Sequence, residues 1–475
     1  MAFTTLDYLI LCCYLALTAA FGIFVGRGQK STRDYFLGGN KLPWWAVSFS
    51  IVATETSTLT FIGAPAIAFT GNLTFLQLAI GYLIGKIFVG FVLIPGYFKR
   101  DIQTAYEILQ QRFGSRVRNL SAVVFQVSRS LADGVRLFAT GLVLSVVTEI
   151  SDIWTVIIIG AVTVFYTYYG GMKAVAWNDV AQLLVYVGGG ILTFFVILQR
   201  IPEGWHGVIT QPGVDQKLQF VDLSFDFAEP YTLLAGLIGG AFLTFATHGT
   251  DQMMVQRYLA CGNERKSRIA LILSGVVVFF QFLLFLLIGV LLYAFYQQFP
   301  LQQELDQVNR ILPIFIVQEL PPGISGLIIA AIFAAAMSTL SSSLNSLSSS
   351  SVNDIYRVYL APAASEKHYL RVSRLFTLIW AFLLVVVAFL ARNWGEVLQA
   401  GLTITSFTMG SVLGIFLLGT FTRRTGEKAG FAAMLIGLAA MLLVSQATFL
   451  AWTWYVLIGT ATTFFSGLIL SRFVR

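Results

Sequence analysis

Charge is scarce in this sequence: Asp, Glu, Lys and Arg make up 11% of its 475 residues, against about 25% in soluble domains. With 57% hydrophobic residues and a mean hydropathy of +0.79, a soluble core of this length could not hide the apolar side chains, which excludes an ordinary soluble protein. Cysteine is scarce too. Cys12, Cys13 and Cys261 cannot build a disulfide framework, and none stands in a haem, zinc or redox spacing, which excludes redox chemistry. No metal motif, nucleophile–base pair or appended signalling domain is found, so the chain is expected not to be an enzyme.

What is abundant points to lipid as the solvent: 41 Phe and 42 Gly is a usage of membrane-embedded chains. A spanning helix needs roughly 20 mostly apolar residues, and about thirteen such segments nearly fill the chain. They are expected at 6–26, 44–70, 73–97, 119–148, 152–171, 176–198, 231–257, 270–298, 322–351, 370–391, 395–420, 429–447 and 449–470. The first lacks the basic start and the small-residue cleavage site of a signal peptide, so it is kept as a helix of the mature protein.

Connections alternate in Lys and Arg. One side holds the clusters Arg27 to Lys41, Lys99 to Arg118, Lys173, Arg257 to Arg268, Arg357 to Arg374, Arg423 to Lys428, and Arg472 with Arg475; the other has only Arg200, Lys217, Arg310 and Arg392. Basic loops mark the cytoplasm, so the amino terminus is expected outside and the carboxyl terminus inside. The net charge of +7 is therefore topology, and no nucleic-acid partner is called for.

Several segments carry groups that lipid does not tolerate. The second, WWAVSFSIVATETSTLTFIGAPAIAFTG, is polar from Ala53 to Thr60, and an ionised Glu55 at mid-membrane costs about 2.5–3.5 kcal/mol even on lenient scales. It needs a partner or a watery cavity; Lys86 in segment three, which also holds Gln77, is a candidate partner. A discontinuous helix is expected there. Small-residue packing would explain Thr54 and Thr58 but not Glu55. In segment nine, Ala335, Ser338, Thr339 and Ser342 share one helical face, with Ser341 three positions after Ser338. Sodium prefers such oxygen ligands, although helix packing is the competing reading.

Asp179, in YYGGMKAVAWNDVAQ, is either an interfacial anchor paired with Lys173 or a carboxylate ligand for a cation shared with the serines. Arg129, Asp133 and Arg136 form a one-face ladder, either a structural ion-pair network or a contact for an anionic solute. Segment seven has Gly239–Gly240 followed by Thr244, Thr247, His248 and Asp251, expected to line a pocket. Segments two and seven are both interrupted and cross in opposite directions, the pointer to an inverted-repeat transporter with a midplane site.

On FIGAPA, YYGGMKAVAWNDVAQ, GTDQMMVQR, AAAMSTLSSSLNS and FLLGTFTRRTGEKAG, nearly the whole chain resembles the sodium:solute symporter family. The resemblance implies an all-α polytopic membrane protein with the LeuT-type five-plus-five inverted repeat. It also implies a single domain over 1–475, with an extra helix at 6–26, a ten-helix core at 44–420 and two further helices at 429–470. A first sodium site is implied at Ala53, Thr56, Ala335, Ser338 and Thr339. A second is implied at Asp179, Ser338, Ser341 and Ser342, hence two sodium ions.

Solute-lining positions are expected at Glu55, Ser57, Thr60, Gln77, Arg129, Arg136, Thr244, Thr247 and His248. Sugar-carrying relatives have Gln and Glu where Thr60 and Ala79 stand here, and a Tyr-Trp pair at Thr247-His248, which argues against a plain galactose carrier. Glu55, which departs from the relatives, could bind sugar hydroxyls or an ammonium group; alternatively Arg129 or Arg136 could pair with a solute carboxylate, as an arginine on the corresponding helix does in sialic acid carriers. The expected function is a sodium-coupled symporter of the cell membrane. It would import a small polar organic solute (a sugar, sialic acid-like compound, amino or organic acid) by alternating access, as a monomer in the bilayer. The alternatives are a sodium-independent facilitator or channel on the same scaffold and, less favoured, a membrane sensor.

Overall fold

The computed structural model describes residues 3–99, 101–301, 305, 307–391 and 397–474, with side chains of 397–404 excepted. Arg100, Arg392, Arg475 and the start of the segment expected at 395–420 lie outside the described residues. In lipid every backbone N–H and C=O must bond within its own segment, so apolar runs of this length fold as helices. No strand occurs among the described residues. The elements that place the site are α1 (Thr5–Val25), α2 (Trp44–Glu55), α3 (Thr58–Thr70), α4 (Phe75–Phe98), α5 (Ser115–Thr148), α6 (Asp152–Arg200), α7 (Gly240–Gly249), α8 (Gln252–Cys261) and α9 (Glu264–Gln298). They continue with α10 (Ile311–Glu319), α11 (Ile324–Leu360), α12 (Glu366–Leu390), α13 (Val397–Phe421), α14 (Glu427–Ala447) and α15 (Trp452–Leu470).

At about 1.5 Å per residue, the 49 residues of α6 are more than twice as long as a bilayer core of about 30 Å. The chain resolves this at Gly171, whose φ of +52° and ψ of −152° break the helix in its middle. Only glycine enters that region without strain, and a Cβ there would also strike the Tyr35 backbone. Two crossings result, in agreement with the segments expected at 152–171 and 176–198.

α2 and α3 are one span bent by 61°. Thr56 and Ser57, with ψ of 110° and 174°, are extended and leave the ladder open beside Glu55, within the polar stretch read from the sequence. The seventh span breaks elsewhere than its glycines suggest. Ala235–Gly239 forms a wide helical turn that runs straight into α7. The interruption falls at Thr250 and Asp251, where the Asp251 carboxylate caps α8 by accepting Met253 N–H at 2.8 Å. Gly236 and Gly240 instead let α4 approach, since a Cβ on either would lie 2.8 Å from backbone atoms of Gln77 or Leu78.

The serine-rich α11 is the central helix: 89% of its most apolar window is buried inside the protein, against 11% for the peripheral α1. Asp7 joins the two. One of its oxygens accepts Thr4 N–H and Oγ–H at 2.9 and 2.7 Å, capping α1. The other takes Gly323 N–H, Gly326 N–H and Ser325 Oγ–H at 2.8, 2.8 and 3.0 Å, capping α11. Asp7→Ala strips both caps and orphans buried donors, so a loss of about 2–4 kcal/mol is expected. Thermal unfolding in detergent should show a lowered midpoint that Asp7→Asn partly restores; an unchanged midpoint for the alanine variant counts against the double cap.

Candidate functional site

The break after Glu55 faces a cavity of about 140 Å³ lined from α2, α3, α4, α5, α7, α8, α9 and α13, with Tyr82, Met254 and Phe282 among its apolar lining. Of the positions expected at the solute, Glu55, Ser57, Thr60, Arg129, Arg136, Thr244, Thr247 and His248 all line this cavity. Gln77 does not. Its amide donates to Tyr231 O at 2.8 Å and accepts Asp222 N–H at 3.3 Å, fastening the connection before the seventh span to α4. Phe75 and Tyr82 on the same helix do line the cavity, so the face of α4 and not its depth takes Gln77 away.

Glu55 has the partner its position demanded. Lys86, fully buried on α4, donates to Glu55 Oε2 at 2.6 Å and to Ser274 Oγ at 3.1 Å. His248 Nε2 lies 3.3 Å from the same oxygen, in contact but not aligned as a hydrogen bond. Buried pairs are strongly destabilised when one member is removed. Glu55→Gln should therefore lower stability by about 3–5 kcal/mol, while Glu55→Met with Lys86→Met should return the thermal midpoint close to that of the unaltered protein. A single variant as stable as the parent would refute the pairing.

Beneath the cavity runs a second ionic chain. Arg136 donates to Asp133 Oδ1 at 2.9 Å, Arg129 lies 3.6 Å from that same oxygen, and Arg129 also holds Asp251 at the break between α7 and α8. Asp133 accepts from Ser343 of α11 through its other oxygen. Two guanidiniums alternate with two carboxylates, so the chain is neutral overall. Its members differ in access: the Arg129 side chain is 5% exposed, that of Arg136 22%.

The hydroxyl stripe of α11 meets α2 at its break. Ser338 Oγ donates to Ala53 O at 2.9 Å and Ala335 O at 3.0 Å; Thr339 Oγ1 is 3.3 Å from both Thr54 O and Ala335 O. Thr56 Oγ1 is taken by Gln281 Nε2 of α9 at 2.6 Å, which leaves its main-chain oxygen for any ion. Neutral carbonyls and hydroxyls this close can turn onto one small hard cation and release it again.

Around Asp179 the structure corrects the sequence reading. Lys173 is exposed and makes no pair with it. The fully buried carboxylate is instead met by Arg257 at 3.0 Å and Ser50 Oγ at 2.5 Å, all through Oδ2. Arg257, counted among the cytoplasmic basic residues, is 1% exposed inside α8 and also contacts Ser342 and Thr54. Counting Lys and Arg by connection assigns a side and carries no depth, which is why it was misplaced. Ser342 is thus brought to Asp179 through Thr54 and Arg257, whereas Ser338 and Ser341 make their hydrogen bonds along the α2 and α11 backbones. Asp179 Oδ1 has no hydrogen-bond partner. A buried carboxylate oxygen left unsatisfied by the protein can take a cation, beside the Arg257 guanidinium on the other oxygen.

A model of the sodium:solute symporter family matches residues 35–437. The chain belongs to that family. It is 33% identical to the sodium/sialic acid symporter NanT of Aliivibrio fischeri over 97% of this chain and 91% of that one. It is 30% identical to the human sodium/iodide cotransporter over 92% and 69%. A solved sodium-coupled sialic acid symporter, in a substrate-bound outward-open state that shows a novel sodium site, superposes with a TM-score of 0.91 at 30% identity, covering 99% and 98% of the two chains. The all-α LeuT-type architecture expected from the sequence is therefore present. As a sodium:solute symporter the protein is a multi-pass membrane carrier that couples sodium to a small solute.

Proposed function

We propose that this symporter imports a carboxylate-bearing anion, with two sodium ions, into the cytoplasm. The observation that carries the reading is Arg136: it lines the cavity, keeps 22% of its side chain open and has Asp133 as its ion partner, while Arg129 and Lys86 are closed off by carboxylates. A guanidinium has five N–H donors, so beyond the one given to Asp133 Arg136 has donors with which to bind a carboxylate. The sialic acid and iodide named for the relatives are both anions, and sialic acid is the first solute to test.

The first ion is proposed on Ala53, Thr56, Ala335, Ser338 and Thr339, the second on Asp179 with Ser338, Ser341 and Ser342. The protein is read as one transporter domain over 1–475, with 44–420 as its ten-helix core between 6–26 and 429–470. It works as a monomer in the cell membrane, with its amino terminus outside and carboxyl terminus inside, without nucleic acid and without enzymatic chemistry. Two sodium ions with a monoanion move one net positive charge, so a potential of 100 mV adds about 2.3 kcal/mol to uptake.

The test is thermal stabilisation of the purified protein by a solute panel with and without sodium. A carboxylate should stabilise only when sodium is present. Arg136→Gln should lose that response while keeping stabilisation by sodium alone. A panel in which neutral sugars or amines act and carboxylates do not would overturn the reading.

A further inference from the structure

Glu55 has an oxygen to spare. Its Oε2 is engaged by Lys86 and approached by His248. Among the described residues no hydrogen bond reaches Oε1, and the side chain keeps 13% of its surface open on the cavity wall. Lys86, by contrast, is fully buried with its ammonium fixed between Glu55 and Ser274, so it cannot reach a solute. Lys86 is a positioning residue: it holds the carboxylate in one rotamer and cancels its charge.

Resting on the carboxylate reading above, we propose that Glu55 Oε1 anchors a hydroxyl, so that the solute is a hydroxylated carboxylic acid gripped at two points, its carboxylate on Arg136 and a hydroxyl on Glu55. Both residues line the same cavity, and Tyr82 of α4 lies on its wall with them. The donor is a hydroxyl and not an ammonium because of the charge around it. An ammonium drawn to Glu55 would gain little from a carboxylate already neutralised at 2.6 Å, and the open guanidinium of Arg136 lines the same cavity. A hydroxyl meets no such repulsion and donates to a carboxylate oxygen, one of the stronger hydrogen bonds. The cavity's other polar groups suit a polyol as well: Thr60, Thr244 and Thr247 present hydroxyls to it and no further acid.

The experiment uses the full-length protein in sodium and four probes: sialic acid, lactate, propionate and alanine, the last three differing only in a hydroxyl, a hydrogen or an ammonium. Binding is read by titrated thermal stabilisation in the parent, in Glu55→Met with Lys86→Met, and in Arg136→Gln. The parent is expected to bind lactate about tenfold more tightly than propionate or alanine, and the paired variant should lose that preference, so that its affinities for lactate and propionate converge. Arg136→Gln should weaken every carboxylate together, which separates the two claims. Propionate binding as tightly as lactate, alanine binding best, or a preference that survives in the paired variant would each overturn the hydroxyl anchor. Sodium stabilisation without response to any of the four acids would overturn the carboxylate reading, and this proposal with it.

Discussion

Asp179→Asn is expected to do two things that a second substitution separates. Removing the charge leaves Arg257 buried with no acid within reach at 3.0 Å, a loss of about 3–5 kcal/mol, so the single variant should accumulate poorly. Pairing it with Arg257→Gln removes the stranded charge and should restore much of the thermal midpoint. If Asp179 is also a cation ligand through its unpartnered Oδ1, the stable double variant will show sodium-dependent uptake whose Hill coefficient falls from above one towards one. If Asp179 is only half of an ion pair, the double variant will keep the sodium cooperativity of the parent. The guanidinium shares Oδ2 with this shell, so the second ion should also be the more weakly held of the two.

How far the sequence could be read depended on whether a signal was local or between helices. The broken second span was legible because adjacent Thr residues, Glu55, Gly63 and Pro65 in an apolar run cannot make an unbroken lipid-facing helix. The hydroxyl face of α11 was legible for the same reason: residues three and four apart on a helix must lie together. Lys86 was found because a mid-membrane cation demands an acid, and Glu55 was at hand.

Partners from distant helices left no periodic trace. Nothing in the spacing ties Arg257 to Asp179, 78 residues away, or Arg129 to Asp251, 122 away. Those pairs form only because α5, α6 and α8 meet behind α2. Gln77 shows the opposite failure. A polar residue on the correct helix was assigned to the cavity, whereas its amide closes the connection before the seventh span. Polar character told that it was satisfied somewhere, not by what. Gly239–Gly240 looked like a break because glycine permits one. Here it permits close packing, of Gly239 against Thr453 and of Gly240 against Leu78 of α4, and an acidic cap makes the break at Asp251.

Ser338→Ala, alone or with Thr339→Ala, should weaken sodium-dependent uptake more than any other conservative change on α11. The hydroxyl spans the seam between α2 and α11, touching Ala53 O of the broken span and Ala335 O of its own helix. As a hydrogen bond it is worth about 1 kcal/mol, too little for its loss to unfold a helix with 89% of its apolar window buried. As an ion ligand it is worth more, because a sodium ion buried in the seam must replace each water oxygen with a protein one. Removal should raise the sodium concentration for half-maximal uptake about tenfold, and the double variant about a hundredfold. Membrane levels and sodium-free thermal midpoint should stay near those of the parent. That split between intact folding and lost sodium response distinguishes a ligand from a packing residue. If both variants keep the parent's sodium dependence, the stripe on α11 is helix packing, and the first ion must be held elsewhere.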